Sequence, residues 1–220
     1  MSETAKRGVY LVDDHQLVRE WLSHLISQEP DLAVCGESEN TDNALAGIRE
    51  KHPDVAVVDI SLKGASGLEL IKQLSADAEG PLIIVLSMHD EPIYAERAFR
   101  SGARGYLIKQ DTARNVLTAI RTVLEGGLYV SEAIKSSLAQ KHFSPKTGAP
   151  RGTVALLSDR ELEVFRLLGG GQSTAQIAEA LHVSAKTVQT YCSRIKEKLN
   201  LGTSSELLRE AFHWTGQKPD

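Results

Sequence analysis

Five side chains with reactive chemistry end apolar runs in the first half of the sequence. Asp13 and Asp14 follow 8–12, Asp59 follows 55–58, Ser87 follows 81–86, and Lys109 follows 105–108. Three carboxylates brought together repel one another and need a cation. A hard divalent ion suits them, and Mg²⁺ fits because it keeps several waters and uses few carboxylates. Lys109 adds a second positive charge and Ser87 a hydroxyl donor. Such a set can receive a phosphoryl group, with an Asp nucleophile and a metal and ammonium to meet the incoming oxygens. Taken singly, each has an ordinary reading: a strand-end Asp caps a helix, and a lone Lys is a solvated charge. Their shared place, each at the same end of its run, argues against five coincidences.

What must position them is an alternation of short apolar runs and helical periodicity. Strands are expected at 8–12, 32–34, 55–58, 81–87 and 105–109. Helices are expected around Leu17 to Ile26, Ala44 to Ile48, Leu68 to Leu74, Ile93 to Phe99, and Val116 to Leu124, the last stopped by Gly126-Gly127. In the first helix Leu17, Val18, Trp21, Leu22, Leu25 and Ile26 are assigned to one apolar face. Five strands alternating with five helices specify a doubly wound α/β fold with a five-stranded parallel sheet, order 2-1-3-4-5. Ligands in such sheets bind beyond the carboxyl ends of the strands, at the crevice between strands 1 and 3.

Residues 7–125 resemble a response-regulator receiver domain. The resemblance rests on Val12-Asp13-Asp14-His15, Val58-Asp59, Leu86-Ser87-Met88 and Gly105-Tyr106-Leu107-Ile108-Lys109. It implies that Asp59 accepts phosphate from a histidine kinase. It also implies that Asp14, Asp59 and the carbonyl of Ser61 hold Mg²⁺, with Asp13 acting through water. Ser87 and Lys109 would hold the phosphoryl oxygens, and Tyr106 would be a rotating switch aromatic that turns inward. Gln110 stands where many receivers have proline, which argues against a cis peptide there.

The chain then changes character. A short helix is expected over 132–142, and 144–152 has the composition of a tether. The expected domains are 1–126, a linker over 127–153, and 154–220. Charge divides the same way. Residues 1–130 hold 13 Lys+Arg against 20 Asp+Glu, a net −7, whereas 151–220 hold 9 against 8, a net +1.

In the last segment Ser158 and Glu161 form a capping box, and Leu162, Val164, Phe165, Leu167 and Leu168 an apolar face. Gly169-Gly170-Gly171 stops that helix; without a Lys-Ser/Thr pair or a preceding strand it is no phosphate loop. Ser173 and Ser184 cap the next two helices across a tight turn at His182-Val183, giving a helix-turn-helix. A fourth helix follows Gly202-Thr203. The outward residues of the third helix are Lys186, Gln189, Thr190, Ser193, Arg194 and Lys196, groups that read base edges and phosphates. Residues 154–215 resemble the LuxR-type helix-turn-helix through 157–164, 174–178, 183–188 and 193–199. The resemblance implies that Gln189, Thr190 and Ser193 face bases, while Lys186, Thr187, Arg194 and Lys196 approach phosphates.

Together the two halves resemble the NarL/FixJ class of response regulators. The implied protein is a transcriptional regulator of double-stranded DNA, switched at Asp59 by a sensor histidine kinase and dimeric when active. It would have no enzymatic activity beyond self-phosphorylation and slow dephosphorylation. Cys35 and Cys192 have no metal-ligand or framework spacing, and the longest apolar run, 82–86, is too short for the ~20 residues that span a bilayer. Both features fit a cytoplasmic protein. Two rivals remain open. A phosphatase-type hydrolase would need a second carboxylate two residues after the nucleophile, where Ser61 stands. A constitutive DNA-binding or scaffold protein would bind DNA alike without Asp59.

Overall fold

Strand β1 (Arg7–Val12) lies inside the sheet between β2 (Leu32–Ser38) and β3 (Val55–Val58), and β4 (Leu82–Ser87) and β5 (Gly105–Ile108) continue beyond β3. The computed structural model describes residues 6–62, 66–88, 92–110, 113–132, 134–136 and 154–216. The tether expected over 144–152 and most of the helix expected over 132–142 lie outside the described residues. The chain divides into two compact units, Met1–Pro145 and Lys146–Asp220.

In the first unit all strand pairs are parallel, in the order β2-β1-β3-β4-β5-β6. The order through β5 is the expected one. The sixth strand, β6 (Tyr129–Val130), falls in residues assigned from sequence to the linker. Two residues are too few to show a periodicity. The turn before them is legible in retrospect. Gly126 sits at φ +85°, and the Gly126 and Gly127 amides donate to the carbonyls of Val123 and Thr122. That pattern closes a helix and reverses the chain.

Helices α1 (Gln16–Ser27), α2 (Thr41–Lys51), α3 (Gly67–Ser75), α4 (Pro92–Arg100) and α5 (Ala113–Leu124) connect the strands. Strand side chains alternate between faces. Val9, Leu11, Val55, Val57, Ile84, Leu86 and Leu107 pack with Leu22 and Ile26 of α1 and Val116, Ile120 and Val123 of α5. The apolar face of α1 is narrower than expected. Leu22 and Ile26 are buried and Val18 and Leu25 partly so, but Leu17 is 79% and Trp21 40% exposed. The spacing of 18, 22, 25 and 26 suffices for the sheet, and Leu17 and Trp21 each stand one position, about 100°, before Val18 and Leu22.

On the other face Tyr10 fills a slot that only glycines leave open. A Cβ on Gly36 would stand 2.4 Å from its ring, and one on Gly47 2.0 Å from its hydroxyl. That hydroxyl pairs with Ser38 Oγ at 2.7 Å, which ties β2 to β1 just before Asp13.

Among the described residues the second unit has the helices α6 (Asp159–Gly169), α7 (Thr174–Ala180), α8 (Ala185–Leu199) and α9 (Ser204–Thr215). Ser158/Glu161, Ser173/Gln176 and Thr203/Glu206 form full capping boxes, and Ser184 accepts from the Thr187 amide. The glycine run acts as the expected stop: α6 ends at Gly169 and Gly171 takes φ +78°. Gly169 also lets α9 approach, since a Cβ there would lie 2.4 Å from the Ala211 carbonyl. Val188 and Ile195 of α8 are fully buried, while Tyr191 and Leu199 are half-buried.

Candidate functional site

The acids meet because the sheet register makes them neighbours. Val12 pairs with Val58, so Asp13 and Asp59 each stand one residue past adjacent strand ends, and the Asp59 amide donates to the Val12 carbonyl at 2.8 Å. Ser87 pairs with Ile108, which brings Lys109 beside it, and the Lys109 amide donates to the Ser87 carbonyl at 2.7 Å. Asp13, Asp59 and Ser87 are buried at 3%, 2% and 0% exposure. Gly67 packs against the Asp59 backbone, where a Cβ would come within 2.1 Å of the Asp59 carbonyl oxygen.

Lys109 Nζ lies 2.7 Å from both Asp13 Oδ2 and Asp59 Oδ2. Asp59 Oδ1 accepts the Ser61 amide at 3.0 Å. Asp13 Oδ1 accepts the His15 amide at 2.9 Å, and the His15 ring nitrogen Nδ1 lies 3.2 Å from the same oxygen. Burial pushes the Asp59 carboxyl above the usual range; Lys109 pulls it back, and Asp13 pushes it further up. Burial works against the Lys109 charge as well, but Asp59 and Asp13 outweigh it and hold the amine above its ordinary value. Two carboxylates share one ammonium, so Lys109 stays charged and the group as a whole keeps a surplus of negative charge.

Asp14 is the least satisfied member. Its Oδ1 is buried and accepts no well-directed hydrogen bond, although His15 Nδ1 stands 2.7 Å away. One ligand atom from each of Asp13, Asp14, His15 and Asp59 falls within a 4.8 Å span. A hard oxygen donor set with surplus negative charge and an orphaned carboxylate oxygen fits a divalent cation such as Mg²⁺.

Residues 9–121 match the family described as the response regulator receiver domain, and residues 155–211 match bacterial regulatory proteins of the luxR family. The transcriptional regulatory protein UhpA of Escherichia coli is 36% identical over 204 residues, spanning 93% of this chain and 97% of that protein. The chain is a two-component response regulator. The response regulator UvrY of Escherichia coli is 34% identical over 206 residues, covering 93% of each chain. A crystal structure of a LuxR-family response regulator from Aurantimonas sp. SI85-9A1 superposes with a TM-score of 0.61 at 31% identity, covering 64% of this chain and all of that one. The regulator therefore joins a receiver domain to a LuxR-type DNA-binding domain and acts in transcription.

Within the regulator, Asp13, Asp59, Ser87 and Lys109, four of the five residues read from strand ends, converge, and Asp14, the fifth, stands beside them. Tyr106 is fully buried, so its ring is already inside in this conformation, where the resemblance implied an inward turn on activation. The peptide bond after Lys109 is trans, like every described one.

In the DNA-binding domain the turn between α7 and α8 is as tight as expected. His182 takes φ +51°, and the His182 and Val183 amides donate to the carbonyls of Glu179 and Ala178. Lys186, Gln189, Thr190, Ser193 and Arg194 are exposed on α8, whereas Thr187 and Lys196 are half-buried. The Thr190 and Ser193 hydroxyls donate to the carbonyls of Lys186 and Gln189 at 3.0 Å. Their remaining capacity is to accept. Sequence reasoning missed two residues at the acid site. His15 was quoted within a motif but given no role, and Arg19 carried no signal, because its contact depends on how α1 folds back over the strand end.

Proposed function

We propose that this regulator is switched by phosphoryl transfer from a sensor histidine kinase to Asp59, and that the switch governs how α8 engages double-stranded DNA. The observation that supports this most is Lys109 Nζ, 2.7 Å from both Asp13 and Asp59, beside the unsatisfied Asp14 oxygen. Asp14, Asp59 and the Ser61 carbonyl would hold Mg²⁺, with Asp13 acting through water. When bound, the ion neutralises charge on the transferring phosphoryl oxygens.

An Asp59 carboxylate oxygen attacks the phosphorus of the kinase phosphohistidine. The new P–O bond forms as the P–N bond breaks, and the imidazole leaves with that electron pair and takes up a proton. Lys109 exchanges a carboxylate for a phosphoryl oxygen, and the Ser87 hydroxyl donates to another. The phosphate adds about −1.5 to −2 charge to a site already rich in carboxylates. Movement of Ser87 and Lys109 toward it repacks the wall that Tyr106 occupies, which makes Tyr106 the switch residue. The protein's chemistry ends there, with self-phosphorylation and slow loss of the group from Asp59. Exposed Leu17 and Trp21, on α1 directly after the acid turn, give a kinase an apolar place to seat.

On DNA, α8 would enter the major groove by its N-terminal turns. Gln189, Thr190 and Ser193 face bases, while Lys186, Thr187, Arg194 and Lys196 approach phosphates. The active form is a homodimer, with α9, where Leu208 is 40% exposed, as a contact. The thiols of Cys35 and Cys192 are both unpaired, and no described helix is long and apolar enough to cross a membrane; we place the protein in the cytoplasm. The test is DNA affinity with and without a small phosphodonor, on fragments selected from random sequence. Wild type should gain about 10-fold and Asp59→Ala nothing; equal affinity in all four arms would contradict the proposal.

A further inference from the structure

We propose that Arg19 is the positioning residue that sets the Asp13–Asp14 turn for cation binding. The inference rests on the reading of Asp14 and Asp59 as cation ligands. Arg19 lies in α1, and its side chain is only 13% exposed. A guanidinium is almost never buried so deeply unless it is paired. Its Nη1 donates to the Asp13 carbonyl oxygen at 2.7 Å.

That carbonyl belongs to the planar peptide unit joining Asp13 to Asp14. Holding the oxygen fixes the plane, and the plane fixes where the Asp14 side chain starts. The rest of Asp13 is already held. Its amide donates to the Ser38 carbonyl at 3.1 Å, and its carboxylate is bound by Lys109 and the His15 amide. Arg19 completes the clamp through the Asp13 carbonyl.

Asp14 shows why a clamp is needed. Its buried Oδ1 accepts no well-directed hydrogen bond, although the His15 ring nitrogen is 2.7 Å away, and an unsatisfied acceptor is costly to hold out of water. A turn free to rotate would carry that oxygen to water. It stays in place only if its surroundings over-determine it. Arg19 is itself aimed from two sides. Its Nε is buried without a hydrogen bond and stands 3.7 Å from Glu37 Oε2 on the edge strand β2. The planar fork spans the gap between the Glu37 carboxylate and the Asp13 carbonyl, which the single ammonium of lysine cannot do.

The test uses two substitutions that preserve charge, Arg19→Lys and Glu37→Asp, in the full chain. Mg²⁺ binding is measured by calorimetry and folding by thermal unfolding without metal. Arg19→Lys should weaken Mg²⁺ about 10-fold, as loss of a residue that orients a metal ligand does. Glu37→Asp should weaken it by a smaller factor, with its unfolding midpoint close to that of wild type. A merely structural Arg19 would lower the midpoint and leave Mg²⁺ affinity unchanged, and that result overturns the inference. Should Arg19→Lys not fold, Glu37→Asp decides, and wild-type affinity there is equally fatal. If wild type itself binds no Mg²⁺, the cation reading fails and this inference falls with it.

Discussion

Asp14 shows how the site trades stability for readiness. Its Oδ1 is buried and unsatisfied next to two further carboxylates. Replacing it by an uncharged isostere removes repulsion and gives the buried group a donor. Asp14→Asn should therefore stabilise the metal-free first unit by about 1 kcal/mol, while Mg²⁺ should no longer raise stability as it does for a chain that binds it only when folded. Denaturant unfolding read by Trp21 fluorescence, in a Trp214→Phe background, measures both effects. Asp13, Asp59, Ser87 and Lys109 were legible in the sequence because each ends an apolar run, and parallel strands deliver all run ends to one edge. Arg19 was not legible. A polar residue on an amphipathic helix looks solvated until the fold shows which backbone oxygen it reaches.

The elements show the same division between local and tertiary signals. Helix starts were readable, since Ser158, Ser173 and Ser184 each accept from the amide three residues on. Helix ends were less so. Besides glycines, His52, His182 and Asn200 take the left-handed conformation; the turn at His182 was expected, but a histidine does not announce the conformation that closes it. The strand β6 and the exposure of Leu17 and Trp21 were also hidden, because the partner surface decides them.

One capping residue does more than its local pattern suggests. Glu161 closes the α6 capping box and is 2% exposed, yet it also accepts from Lys198 of α8 at 2.6 Å. Burial opposes its charge, but hydrogen bonds from Lys198 and Ser158 outweigh that and hold its carboxyl below the usual value near 4.5. A depressed carboxyl stabilises the fold above its unfolded pKa and loses that contribution as pH falls through the folded one. Glu161→Gln should cost about 1–2 kcal/mol at neutral pH, allowing for the screening of the partly exposed Lys198. The gap to wild type should close progressively below about pH 4.5. Trp214 fluorescence in a Trp21→Phe background follows this unit, since the Trp214 ring packs 5.8 Å from that of Phe165.

For the molecule as a whole, charge is divided unequally between the two compact units. Residues 1–130 carry a net −7 and 151–220 only +1. The acidic half repels the polyanion that the other half binds. Non-specific DNA should therefore bind the isolated segment 146–220 more tightly than the full chain at low salt. The difference should shrink as ionic strength rises and the Debye length falls to about 10 Å at 0.1 M. Fluorescence anisotropy with a random duplex across a salt series checks this; a salt-independent gap would point to steric masking instead. The two-part organisation was visible in the sequence from the charge break and the proline- and glycine-rich stretch over 144–152.

The account depends above all on Asp59 receiving the phosphoryl group. Intact-mass and peptide mapping of the chain incubated with Mg²⁺ and acetyl phosphate tests it most directly. One phosphoryl group should appear on the peptide carrying Asp59, should be absent from Asp59→Ala, and should disappear when the metal is chelated beforehand. A chain that stays unmodified, or one modified equally well in Asp59→Ala, would contradict it.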